Sequence, residues 1–176
     1  MGDHSFEDVS KVLRYDAETG EFFWKVNTSQ RTPTGARAGT VCYYGYIVIG
    51  INRKYYKAHR LAFLLMTGRW PVGVVDHINC VRADNRFCNL RVTSAALNSR
   101  NQGPAKNNTS GFKGVSWHKA KGLWVAQIRV DRKHHSLGYF DTPEKAAEAY
   151  DAGSIKYHGE YGRLSTTNKT RTGVPA

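Results

Sequence analysis

Between residues 102 and 110 the hydrophobic pattern of this chain stops. The segment QGPAKNNTS supplies Gly, Pro, Asn and Ser where its flanks supply Leu, Val and Trp, which is the composition of a linker rather than of a packed element. A 176-residue chain interrupted there is confined to two small cores, and it is long enough to bury them without disulfide support. The expected organisation is a domain over 1–101, a linker over 102–110, a second domain over 111–168 and a tail over 169–176. Helices and antiparallel strands are mixed in both halves, so the expected class is α+β.

Ahead of the break, residues 8–13 read as a short helix, and the turn DAETG over 16–20 leads into an aromatic strand over 21–25. Residues 26–38 lack periodicity and read as a loop. Strands rich in Tyr, Val and Ile are expected over 39–43, 46–51 and 54–58, with turns at Gly45 and Asn52-Arg53. Residues 59–67 form a helix with Leu61, Leu64 and Leu65 on one face, stopped by Gly68 and Pro71. His59 at its start reads as a packing or capping residue, with a site contact as the alternative. Then come a short strand at Val74-Val75, a polar loop over 79–86, a strand over 90–92 and a helix from the cap Ser94 to about Arg100.

Beyond the break, residues 111–117, 124–130 and 135–140 alternate apolar and polar side chains and read as three antiparallel strands. Thr142 caps a helix with Pro143 at its first position, and Ala146, Tyr150, Gly153 and Tyr157 recur along one face. One helix across one face leaves the other face of the sheet free. Charge gathers there: residues 105–140 hold seven Lys/Arg against one acid, Asp131, whereas 141–176 balance five against five. Half of the +12 formal charge therefore falls on the strands and little on the helix.

A charge of that size favours a polyanion, either nucleic acid or an anionic membrane. No apolar run approaches the roughly 20 residues needed to cross a bilayer, and the polar start MGDHSFEDVS is unlike a signal peptide. Cys42, Cys80 and Cys88 are odd in number and lack C-x-x-C spacing, so reduced thiols in a cytoplasmic protein are expected. Zinc bound by His77, Cys80 and Cys88 is a competing reading that lacks a fourth ligand.

The stretch 74–101 carries the chemistry. Hydrolysis of a phosphodiester needs an activated water and a cation at the phosphate. Asp76 offers a carboxylate oxygen and Asn98 an amide oxygen, donors suited to one Mg2+ or Mn2+. His77, on the opposite side of a strand from Asp76, could take a proton from water. Asn89 cannot act as a base, but its amide could bridge the polar loop and hold His77.

This pattern resembles the HNH nuclease module, a ββα-metal fold, in the form found in phage and intron-encoded homing endonucleases. Those carry an Asp-His pair, an Asn about thirteen residues after the Asp, and a His or Asn about nine further on. Asp76-His77, Asn89 and Asn98 fall at those intervals. His59-Arg60-Leu61, Asp76-His77-Ile78-Asn79, Asp84-Asn85-Arg86 and Asn89-Leu90-Arg91 extend the match. The resemblance implies that Asp76 and Asn98 ligate one divalent metal, that His77 is the general base and that Asn89 orients it. Two positions depart from the family. Cys80 stands where Gly is usual, which restricts positive φ, and the last position is Asn, which disfavours zinc and nickel.

Residues 110–168 resemble the APETALA and ethylene-response-factor DNA-binding domain of plant transcription factors. The matching motifs are Gly111-Phe112-Lys113-Gly114-Val115, Trp124-Val125-Ala126-Gln127-Ile128-Arg129, Leu137-Gly138-Tyr139-Phe140 and Ala146-Ala147-Glu148-Ala149-Tyr150-Asp151. The resemblance places Lys113, Gln127 and Arg129 at DNA-contacting positions, together with His118 and His134, where the plant domains usually carry Arg. Ser116 and Ser136 replace the family's Arg and Trp, so base preference does not transfer. Trp124 and Tyr139 are expected in packing, and Trp117 is open between packing and DNA.

These readings converge on a site-specific endonuclease of homing type, cutting one strand or both, that acts on double-stranded DNA inside the host cell of a phage or mobile element. It could work as a monomer or a homodimer. The alternative is a non-catalytic, sequence-specific DNA-binding regulator with a degenerate nuclease fold. An RNA-binding protein ranks below both, because its stacking aromatics are expected in packing.

Overall fold

A computed structural model describes residues 3–29, 32–105 and 107–165; the tail expected over 169–176 lies outside them. The chain divides into two compact units, Met1–Ala95 and Ala96–Ala176.

The first unit opens with α1 (Phe6–Val12), which starts earlier than its hydrophobic pattern indicates because Ser5 and Asp8 form a capping box. Strands β1 (Leu13–Tyr15), β2 (Phe22–Trp24) and β3 (Arg37–Ala38) form one antiparallel sheet. The third of these corrects the expected loop over 26–38. A two-residue strand has no period to read, yet Ala38 is buried opposite Phe22. A second sheet follows in the order β4 (Thr40–Val41), β5 (Ile47–Ile51) and β6 (Lys54–Lys57). Then come α2 (Ala58–Thr67) and the antiparallel pair β7 (Val74–His77) and β8 (Leu90–Thr93). Val9, Leu13, Phe22, Ile49, Leu61 and Leu64 are fully or almost fully buried and share one core with Val75 and Leu90. The strand pair that carries the candidate site is thereby anchored from below.

In the second unit α3 (Ala95–Asn101) precedes β9 (Val115–His118), β10 (Leu123–Val130), β11 (Lys133–Phe140) and α4 (Pro143–His158). The sheet order is β11-β10-β9, and α4 packs on one face through Ala146, Ala147 and Tyr150 against Val115, Ala126 and Ile128. A β-carbon at Gly114 would lie 2.1 Å from the Tyr150 ring, so only glycine lets helix and sheet approach this closely. The stretch ahead of β9 is tied to the sheet: the Asn108 amide donates to Phe112 O at 2.9 Å and the Ser110 hydroxyl to Val115 O at 2.8 Å.

Two hairpins close with the same unusual turn. Asn52-Arg53 joins β5 to β6 and Asp131-Arg132 joins β10 to β11, all four residues at positive φ. Turns of this kind favour Gly at the second position, and here both carry Arg.

Candidate active site and nucleic-acid face

Strand alternation separates the two residues that matter most in the first unit. Asp76 lies opposite Arg91 and His77 opposite Leu90, so consecutive side chains project to opposite faces of the pair. On one face Arg91 donates from Nε and Nη2 to Asp76 Oδ2 at 3.1 and 2.9 Å. Both side chains are largely buried, which makes this a charge-assisted pair that fixes the carboxylate's orientation. On the other face the His77 ring meets His59 edge-on at a centroid distance of 4.9 Å, with Tyr46 at 6.0 Å.

His77 is 5% exposed and its Nε2 lies 3.2 Å from Asn85 Oδ1. Burial lowers its pKa, with the Asn85 hydrogen bond opposing in part. The lowered pKa favours the neutral ring, and Asn85 Oδ1 can accept from Nε2–H in that form. His59 is pushed down further, to about 3, by burial and then by the neighbouring His77. The packing role expected for His59 is what the structure gives, on the ring of the candidate base.

Asn89 bridges the polar loop, as expected. Its amide donates to Asn79 Oδ1 and Asp84 O at 3.0 and 2.8 Å, and its Oδ1 accepts from Asn79 N at 3.0 Å. The side chain facing His77 Nε2, however, is Asn85, which the spacing pattern left without a role. Asn85 is held in turn by scaffold residues. The Tyr15 hydroxyl donates to Asn85 O at 2.7 Å, and a β-carbon on Gly20 would stand 2.4 Å from Arg86 N and 2.5 Å from the Asn85 carbonyl carbon. The first sheet thus supports the loop that orients the imidazole. Asp84-Asn85-Arg86 was the available signal, but only the fold shows which of the three faces the histidine.

Cys80 occupies the left-handed region at φ 64, so the loop keeps the conformation that Gly would favour and carries the strain of a side chain there. Among the described residues no group of three His, Cys, Asp or Glu side chains is placed to hold a metal. Asn98, the other expected ligand, is half-buried on α3 and belongs to the second unit.

In the second unit the register sorts the expected DNA contacts. Arg129 pairs with His134 and Gln127 with Ser136 on the face turned away from α4, and Gln127, Arg129 and His134 are exposed. His118, opposite Leu123, lies on this same face. Lys113 precedes β9, half-buried, and its ammonium donates to Arg100 O at 2.6 Å. Trp124 packs against the core as expected, and Trp117 pairs with it across the strands on the helix side. Tyr139 corrects the sequence reading. Phe140 takes the core position, so alternation puts Tyr139 on the free face, opposite Val125, with Lys121 Nζ 3.7 Å from its ring centroid and His118 5.3 Å away.

Residues 56–100 match the HNH endonuclease family and residues 110–160 the AP2 domain. Protein 3.8 of Escherichia phage T7 is 31% identical over 116 residues, spanning 64% of this chain and 95% of the phage protein. The chain belongs to the HNH endonuclease family and carries an AP2 domain. The AP2 part is 47% identical over 53 residues to an AP2/ERF and B3 domain-containing transcription factor of Arabidopsis thaliana, covering 30% of this chain and 15% of that protein. A solved structure described as DNA binding and cleavage by the HNH homing endonuclease I-HmuI aligns with a TM-score of 0.42 at 19% identity, over 90% of this chain and 91% of that one. HNH and AP2 domains bind DNA, and among the described residues no helix is long and apolar enough to cross a membrane.

Proposed function

We propose that this protein is a site-specific, homing-type DNA endonuclease that nicks duplex DNA with one divalent metal ion, Mg2+ or Mn2+, inside a phage-infected or element-bearing cell. The observation that carries the proposal is the division of labour on β7: a buried carboxylate clamped by Arg91 on one face, and a desolvated, neutral imidazole oriented by Asn85 on the other. The donor chemistry fits the metal, since Asp76 and Asn98 both present hard oxygen atoms. Bound there, a divalent cation supplies charge neutralisation at the phosphate and the leaving oxygen.

His77 accepts the proton of the attacking water, and burial, which lowers its pKa, favours the neutral ring that can take it. Asn85 holds the ring through Nε2, and Asn89 keeps the loop closed beneath it. Lys113, His118, Gln127, Arg129 and His134 hold the duplex. With one site per chain, a monomer cuts one strand and a homodimer would cut both. The test is cleavage of host genomic DNA with Mg2+ or Mn2+, mapping the ends on each strand separately. Breaks confined to one strand at a defined sequence are expected, and sequence-specific binding without cleavage under either metal would favour the regulator.

A further inference from the structure

Beside the sheet of the second unit lies a cleft of about 610 Å³ that the sequence pattern did not assign. It opens ahead of β9: pairing with β10 begins at Val115, Gln127 N donates to Gly114 O at 2.8 Å, and β10 runs on to Val130. Arg100, Lys113, Arg129 and Arg132 line it, against a single acid, Asp131, among the described residues. Arg100 comes from α3, ahead of the AP2 match, and Arg132 from the strained hairpin tip.

The end of α4 adds a polar group to the wall of the cleft. His158 also lines the cleft and is 8% exposed. It donates from Nε2 to Arg129 O at 2.9 Å, and its Nδ1 is buried with no hydrogen-bond partner among the described residues. With Nε2–H committed to that carbonyl, Nδ1 is an acceptor, so it is satisfied by a donor such as a water bridging to the occupant and not by phosphate oxygens directly. Four cations gathered around a concave surface also repel one another, and that cost is recovered when an anion enters. The volume lies within the range that holds ligands of many atoms, so it suits a phosphate with its flanking sugars rather than a bare ion.

We propose that this cleft seats a backbone phosphodiester of the bound DNA. The grip of the second unit then extends past the sheet to Arg100 and Arg132, which hold the strand without reading it, while Gln127 and His134 line the same cleft from the sheet. The inference rests on the reading of this unit as DNA-binding and adds two residues and a site that reading does not contain.

The test uses the full chain in EDTA, to prevent cleavage, with a mixed-sequence duplex of about 30 base pairs whose affinity is measured from low to high salt. Each phosphate contact contributes about 0.9 to the slope of log affinity against log salt. The double variant Arg100→Ala/Arg132→Ala is expected to lose about 1.8 of that slope and, at 0.1 M salt, to bind roughly 60-fold more weakly. Arg100→Lys/Arg132→Lys is expected to recover most of both. Equal thermal unfolding midpoints for all three proteins would confirm that the loss is not one of folding. A double alanine variant that keeps the wild-type affinity and slope would overturn the cleft assignment and leave DNA binding by the sheet intact. Failure of the wild type to bind duplex would overturn both readings. If millimolar orthophosphate stabilises the wild type but not the variant while duplex binding is unchanged, the cleft is a site for a free anion and the DNA assignment falls.

Discussion

The candidate active site of the first unit and the sheet face of the second are built to opposite specifications. Around His77 the polar groups are buried and fixed by short hydrogen bonds from a loop that is itself braced. Around Gln127 and Arg129 the side chains are exposed on a regular sheet. Proton transfer depends on geometry and desolvation, which only a rigid, dry surround provides. Holding a charged duplex depends on reach and number of cations, which a solvated face provides. If that contrast is right, the two functions should come apart under mutation.

The largest separation is expected from His77→Ala, which should reduce cleavage by a factor of about 10² to 10⁴ and leave duplex affinity in EDTA unchanged. Parallel loss of both in cleavage and gel-shift assays would break the comparison. Gly20→Ala tests the brace rather than the base. Its new β-carbon would meet the Asn85–Arg86 backbone from a residue at φ +74, and a displacement of about 1 Å at the histidine is enough to cost about 10²-fold in cleavage. Single-turnover rates should fall with duplex affinity retained; an unchanged rate would mean that the first sheet does not support the site.

Arg129→Ala should show the converse, with weaker binding and a salt slope reduced by about 1. The single-turnover rate at saturating protein should stay at the wild-type value. Acid should test the packing histidine of the first unit. The folded pKa of His59 lies well below its unfolded value of about 6.5, so the unfolded chain takes up a proton that the folded one refuses. The stability of the first unit is then full above about pH 6.5 and declines as pH falls from there toward 3. Denaturant midpoints of His59→Phe measured from pH 7.5 to 5 should show a flatter profile than the wild type. The smallest effect is Cys80→Gly, which relieves a left-handed side chain; it should stabilise the first unit by at most about 1 kcal/mol, read from the same midpoints.

What could be read in the amino-acid sequence follows the range of the interactions involved. The β7–β8 strand pair and the three strands and helix of the second unit were legible because alternation and capping are local. Asp76 and His77 were legible because their spacing and residue types are unusual together. The part played by Asn85 was not, because it depends on a loop closing back across eight residues onto His77 while Tyr15 approaches from the far end of the unit. Tyr139 went astray for a smaller reason: one step of alternation decides between core and free face, and Phe140 outcompetes it for the apolar side. The cleft at the start of β9 was hidden because it joins α3, a hairpin tip and the end of α4, which no window of sequence contains.

The two arginines held at left-handed positions, Arg53 and Arg132, also bear on the order of folding. A turn whose second central residue lacks the freedom of glycine gains little by closing early, because its strain is repaid only when the flanking strands are packed. The strain at Arg53 and Arg132 is then carried by the packing of each unit rather than by the turn itself. Glycine at position 132 should therefore speed refolding only if the hairpin already forms in the transition state, and should otherwise slow unfolding alone. Refolding and unfolding rates of that variant therefore report whether the β10–β11 hairpin closes before or after the rest of its unit.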